Sequence, residues 1–439
     1  MNLKLILVTT IFVSIVLRLF FIHPTFSDEN FYFNVAKSVK EGEIPYKDFF
    51  FAHPPLQIYT LALFFKIFGV SFLLGKILVL IISSLTIFLL FFISKELFDE
   101  KTAFIASFVF LLTPTFLAFS SVGYGMWEAM LLVLASMYFT IKNKLSLASI
   151  AFVSAVFFRY LAIVYLPFLI LFLYLKKGKT KSFLILFFGL SLLSLLLLFL
   201  LFGPNYITQT VSYHLFSKTQ LVAQTQYWGI GLFFSFLALI SAFVAYVEKD
   251  RILLLLALTP LIADSVILLI LRQIFYHYFL ISLPFCVMAL SRVLIFSKDR
   301  ITKLIIPIIL LLSIILNMPT IDFYLNPIHA EKFYYVAEFV KNNTSENDKI
   351  FGEPIATNYV SFITGRKIAG NYLDSYLPHL VFEGEQRVLD DIEKDRPKLV
   401  IEMDGYYLSN PIFRNSISNN YNLERRFEGI PRYSIYILN

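Results

Sequence analysis

Cysteine is almost absent from this chain: Cys286 is the one thiol in 439 residues, so an intrachain disulfide is excluded. Charge is scarce too. Asp, Glu, Lys and Arg make up 15% of the sequence against 58% hydrophobic residues, too little polar surface to cover a soluble globule. No Gly-rich phosphate loop, zinc-ligand spacing or nucleophile-elbow motif occurs, and there is no low-complexity segment or fixed-period repeat. The solvent of such a chain is mostly lipid.

Long apolar runs are abundant instead. A helix needs roughly 20 apolar residues to cross the hydrocarbon core, and residues 1 to 318 supply about eleven such segments, some short. They run Leu3 to Ile22, Ser71 to Ile93, Thr102 to Phe119, Gly125 to Ile141, Leu145 to Phe158, Tyr160 to Leu175, Ser182 to Phe202, Trp228 to Val247, Ile252 to Leu271, Ile274 to Phe296, and Ile301 to Met318. Backbone groups in lipid must be satisfied within each segment, so helices are required. The first run contains Arg18 and no small-residue cleavage pattern follows it, which reads as a retained helix rather than a signal peptide. With the N-terminus cytoplasmic, the inner loops carry Lys95, Lys101, Lys142, Lys144, Lys176, Lys177, Lys179, Lys181, Lys249, Arg251, Lys298, Arg300 and Lys303, as the positive-inside rule demands. The formal charge of +7 then needs no nucleic-acid partner. An odd number of crossings puts everything after Met318 outside, together with the loop from His23 to Val70, the turn at Tyr124 and the loop from Gly203 to Tyr227.

Composition turns polar after Met318. Phe333, Val336, Ala337 and Val340 recur at helical spacing, Lys349 to Gly352 reads as a short strand, Val388, Leu389 and Ile392 mark a helix stopped by Arg396-Pro397, and Leu399 to Met403 reads as a buried strand. The expectation is an all-α polytopic membrane domain over residues 1–318 and a small extracytoplasmic α/β domain over 319–439. The latter shows no catalytic motif, and its Asn342-Asn343-Thr344 and Asn343-Thr344-Ser345 match the short N-glycosylation pattern. Leu56 to Phe68, broken by Lys66 and followed by Gly69, suggests a helix lying in the membrane interface.

The few charges near the outer face are the candidates for chemistry. Asp28 and Glu29 follow the first run directly; Asp28 precedes Glu29-Asn30-Phe31-Tyr32-Phe33 as an N-cap would, yet carboxylates just outside a bilayer are also placed to act on something the bilayer holds. Glu128 enters the fourth run, where a carboxylate either reaches back to water or marks a functional site. Arg159 closes the fifth run externally, against the positive-inside bias. Arg18 either snorkels to headgroups or binds phosphate, while Arg272, His277 and Tyr278 share another external turn as anchors or anion contacts. Tyr46, Lys47, Asp48 and His53 shape the first loop or meet an acceptor. Asp264, inside the ninth run, either bonds to a neighbouring helix or marks an ion path. No organic cofactor is called for, and the metal question stays open because two adjacent acids can bind a divalent ion through oxygen.

The ordered set Arg18-Leu19, Asp28-Glu29, Tyr32, Ala36, Gly42, Pro45-Tyr46, Asp48 and His53-Pro54-Pro55-Leu56 resembles the first external loop of membrane glycosyltransferases that draw sugars from polyprenyl phosphates, the family of protein O-mannosyltransferases and lipid A aminoarabinose transferases. The resemblance implies a GT-C fold, a polyprenyl-phosphate sugar donor, a protein, lipid or glycan acceptor, and inversion at the anomeric carbon. It makes Asp28 the catalytic base, with Glu29 beside it. Glu128 stands where the family has Asp, and Arg159 where it has a cation suited to the donor phosphate; Arg18, Arg272, His277 and Tyr278 become further phosphate contacts. The rival from another class is a lipid-linked sugar flippase or secondary transporter, which Asp264 best supports.

Overall fold

The computed structural model describes residues 3–20, 22–217, 222–223, 228–270, 273–296, 307–308, 311–428 and 431–439. Packing divides the chain into two compact units. The first comprises Met1–Phe21, Ile77–Leu197 and Thr219–Leu325; the second comprises Ile22–Lys76, Leu198–Lys218 and Asn326–Asn439.

Helices of the first unit follow the apolar runs closely, because an apolar run in lipid has no other way to satisfy its backbone. Met126–Ile141, Leu145–Phe158, Trp228–Val247 and Arg251–Ile270 start and stop within a residue or so of the runs read from sequence. Among the described residues, Phe72–Leu97, Thr180–Phe202, Arg251–Ile270 and His277–Phe296 are long and apolar enough to cross a membrane, and five apolar helices are shorter. Leu192 and Leu200 on Thr180–Phe202 are each 70% exposed, a surface suited to lipid rather than water.

Two runs are broken where the residues require it. The run Thr102 to Phe119 divides into Glu100–Leu112 and Pro114–Phe119, since Pro114 lacks an N–H and drives Thr113 to an extended conformation, φ −66° and ψ 139°. The Thr113 hydroxyl then accepts from Phe116 N at 3.3 Å and caps the second piece. Likewise Tyr160 to Leu175 opens as a 3-10 turn, Tyr160–Tyr165, before Leu166–Leu175. Within the run Ile301 to Met318, residues 301–306 and 309–310 lie outside the described residues. Asp264 bonds to a neighbouring element: Ser282 Oγ donates to its Oδ1, and Tyr165 Oη lies 2.6 Å from the same Ser282 hydroxyl.

In the second unit the C-terminal segment builds a four-stranded sheet in the order Ile350–Gly352, Leu399–Met403, Tyr433–Leu438, Tyr421–Phe427. The first pair is parallel, the other two antiparallel. Phe351 and Val400 pack with Val388, Leu389 and Ile392 of the helix Glu385–Asp395, which is the apolar periodicity read from sequence. Gly352 is required by close approach, for a Cβ there would sit 2.1 Å from the Ile401 carbonyl oxygen. The last two strands have no strong alternation and were missed by pattern reading. The first loop folds with this segment: the helix Glu29–Glu41 docks on Pro354–Thr364 through Asn34 Nδ2 to Asn358 Oδ1 at 2.9 Å and Lys37 Nζ to the Phe362 carbonyl at 3.3 Å. Packing therefore joins residues 22–76 to the C-terminal segment, whereas the composition change placed a boundary at 318/319.

Candidate active site

The candidate residues form two clusters, one inside each unit. In the second unit the acidic pair splits into unlike roles. Asp28 occupies the N-cap position of Glu29–Glu41, but its side chain makes no capping bond. Instead Tyr376 Oη donates to Asp28 Oδ1 at 2.5 Å, and Asp28 remains half-buried and reachable. Glu29 points the other way. Its Oε1 lies 2.6 Å from Lys76 Nζ with both side chains fully enclosed, and accepts from Thr25 N at 3.1 Å and Thr25 Oγ1 at 2.5 Å. Its carboxylate is thus engaged by Lys76 and Thr25 in a buried setting. Lys76 escaped the sequence reading although a lysine near the start of an apolar run is a signal of the kind that singled out Glu128.

Behind Asp28 stands Glu353, buried at the N-terminus of Pro354–Thr364, where its carboxylate accepts from Ile355 N at 3.0 Å and Ala356 N at 2.8 Å. Burial first, then the charges of Asp28 and Glu402, pushes its carboxyl up to about 7 against the lowering effect of those two bonds. Burial, followed by the charge and hydrogen bond of Asp28, raises the Tyr376 phenol well above its ordinary range, so it is a donor at any working pH. No pattern marked Tyr376 or Glu353 in the sequence.

Tyr46 forms the keystone of the loop. It adopts a left-handed φ of 69°, costly for a non-glycine, and is held there by its N–H to the Phe49 carbonyl at 3.0 Å, its hydroxyl to the His53 carbonyl at 2.7 Å, and ring contacts with Phe51, Phe202 and Tyr206. Asp48 turns its Oδ2 to the Ile44 N–H at 2.6 Å, while Lys47 is exposed beside it. Tyr46 and Asp48 thus shape the loop. His53 is half-buried, with its ring 5.6 Å from Tyr32 and 5.8 Å from His214.

In the first unit Gly125, at φ 73°, turns the chain into Met126–Ile141 and sets Glu128 in its first turn. Glu128 is 5% exposed, its Oε2 has no hydrogen-bond partner among the described residues, and it feels the positive charge of Arg159. Arg159 is buried, with Nε donating to the Tyr124 carbonyl at 2.6 Å and Nη2 to the same oxygen. The Tyr124 ring stacks on His277 at 4.3 Å and 14°, and Tyr278 lies edge-on to His277 at 4.7 Å. Glu128, Arg159, Tyr124 and His277 therefore form a local group. Arg18 makes a different contact, its guanidinium lying 4.0 Å over the Phe116 ring. Arg272 lies outside the described residues. Among the described residues no three His, Cys, Asp or Glu side chains are arranged to hold a metal ion.

Known proteins share this fold. The family model described as dolichyl-phosphate-mannose-protein mannosyltransferase matches residues 52–207. Over the whole chain, ArnT from Cupriavidus metallidurans, in its crystal structure bound to undecaprenyl phosphate, superposes with a TM-score of 0.66 at 11% identity, covering 99% of this chain and 97% of that one. The fold is that of the GT-C glycosyltransferases. The oligosaccharyltransferase of Archaeoglobus fulgidus shares it, with a TM-score of 0.56 at 13% identity over 100% of this chain and 74% of its own. GPI mannosyltransferase 1 of Saccharomyces cerevisiae is 27% identical over 217 residues, 45% of this chain, so the match spans about half (53%) of that curated relative. These matches bear out the resemblance carried by the first loop, and with the apolar helices they make the chain a multi-pass membrane protein. The family-matched segment holds His53, Glu128 and Arg159 and does not reach Arg18, Asp28, Glu29 or Tyr376.

Proposed function

We propose that this protein is an integral membrane glycosyltransferase that takes a sugar from a polyprenyl phosphate and transfers it, with inversion, to an acceptor hydroxyl on the extracytoplasmic face. The acceptor oxygen attacks the anomeric carbon as the bond from that carbon to the phosphate oxygen breaks. The electron pair leaves with the lipid phosphate, and the acceptor proton passes to Asp28. Arg159 offsets the charge that grows on the phosphate, an effect strongest where water is excluded. Glu128 orients the sugar or acceptor through its uncommitted oxygen, and Glu29 fixes the loop. Protein, lipid and glycan acceptors all fit this reaction, as do dolichyl and undecaprenyl carriers.

The observation that carries the reading is the divergence of the acidic pair: Glu29 is buried against Lys76, while Asp28 is half-buried and accepts from the Tyr376 phenol. In the flippase or transporter reading Asp264 would line an ion path, and its bond with Ser282 supports a structural role instead. The donor side is tested with Arg159. Arg159→Ala should raise the KM for dolichyl-phosphate-mannose or undecaprenyl-phosphate sugars strongly, and Arg159→Lys should keep part of the activity because a point charge survives the loss of the planar fork. Normal turnover by Arg159→Ala at limiting donor would put the phosphate contact elsewhere.

A further inference from the structure

The C-terminal segment has no catalytic motif, yet one of its side chains bonds to the proposed base. We propose that Tyr376 is a positioning residue for the Asp28 carboxylate, which makes the C-terminal segment part of the reaction machinery. The inference rests on the reading of Asp28 as the base.

Tyr376 is built to hold still. It immediately precedes the helix Leu377–Glu383, and its carbonyl accepts from His379 N at 2.8 Å and Leu380 N at 3.1 Å. Its neighbours are fixed to the sheet: Ser375 Oγ donates to the Gly352 carbonyl at 2.8 Å, and Tyr407 Oη donates to the Ser375 carbonyl at 2.7 Å. On the other side Leu377 N donates to Tyr406 Oη at 2.9 Å. The Tyr376 ring lies 5.7 Å from His379, whose Nδ1 is 2.5 Å from Asp374 Oδ1. Asp28 is fixed in turn, because Glu29–Glu41 docks on Pro354–Thr364 through Asn34 and Asn358.

A phenol donating at 2.5 Å to one carboxylate oxygen stops rotation of the group and stabilises its charged form. Asp28 stands at the N-cap position of Glu29–Glu41 with helical φ −61° and ψ −7° and makes no capping bond, so the phenol acts on a carboxylate that is not engaged by its own helix terminus. Charged or titratable groups on the surrounding elements include Glu353, which interacts electrostatically with both Asp28 and Tyr376, Glu402 beyond it, the Asp374–His379 pair and the Glu29–Lys76 pair.

The experiment uses the full-length protein in lipid, with dolichyl-phosphate-mannose and undecaprenyl-phosphate sugars as donors and peptide, lipid and glycan acceptors. Tyr376→Phe, which deletes one oxygen, should lower kcat about tenfold with the donor KM unchanged, and should move the acid limb of the kcat profile up by roughly one pH unit. Asp28→Asn with Tyr376→Phe should be no slower than Asp28→Asn alone, as expected for two groups that act as one. A 3-fluorotyrosine at position 376 preserves the shape and strengthens the donor, so it should move the acid limb the other way, and it serves if Phe impairs folding. Wild-type kcat and pH profile in Tyr376→Phe and the fluorinated protein, or losses that multiply in the double variant, would overturn the proposal while leaving Asp28 as base. An Asp28→Asn protein at the wild-type rate, or a wild-type protein inert toward every donor, would overturn the underlying reading instead.

Discussion

Lys76→Met is the most informative perturbation of the framework. It leaves Glu29 fully enclosed with the 2.6 Å ion pair gone, while the Thr25 amide and hydroxyl still donate to it. Removing one member of such a buried pair costs about 3–5 kcal/mol, because the remaining charge keeps its desolvation penalty without its counterion. The thermal unfolding midpoint of the purified protein in detergent should fall by roughly 5 °C or more. Glu29→Gln combined with Lys76→Met should recover most of that loss, since the amide can still accept from Thr25 and methionine suits an apolar setting. Unfolding followed by size-exclusion fluorescence across the four proteins decides the matter. A Lys76→Met protein that melts like wild type, or a double variant that melts below both singles, would refute the assignment of Glu29 as a loop-holding residue.

Two further outcomes follow. Glu353 titrates at about 7 in the fold against 4.5 when unperturbed, so its contribution to stability is complete below about 4.5, declines as pH rises through about 7, and is flat above that; Glu353→Gln should remove this slope from melting temperature against pH, and an unchanged slope would show that another group sets it. From the charge bias of the loops we expect Asp28 and the segment after Thr320 on the extracytoplasmic side, so single cysteines near Lys40 and Asn347 should react with an impermeant reagent on intact cells, and labelling only after permeabilisation would reverse the topology.

Much of the membrane architecture was legible because lipid leaves an apolar run one option, as Leu145–Phe158 shows by matching its run at both ends. Breaks were less legible: Pro114 was visible in the sequence, yet an uninterrupted hydrophobic pattern hid it. The first loop and Leu399–Met403 were readable from turn residues and a buried apolar run. The partners of the acidic pair were not. Tyr376 lies 348 residues from Asp28, in a segment with no catalytic motif, so the contact exists only once the chain has folded. Lys76 could have been found by asking why an apolar run tolerates an ammonium group, while the burial of Tyr46 depends on Phe202 and Tyr206 from a distant part of the chain.

The central claim is that Asp28 takes the acceptor proton during sugar transfer, and one measurement meets it directly. Asp28→Asn keeps the size of the side chain and can still accept from Tyr376, but it cannot act as a base. Purified and equally folded in lipid, and supplied with polyprenyl-phosphate sugars and a panel of acceptors, it should transfer sugar roughly a hundredfold more slowly than wild type or worse. Transfer by Asp28→Asn at the wild-type rate would contradict the account.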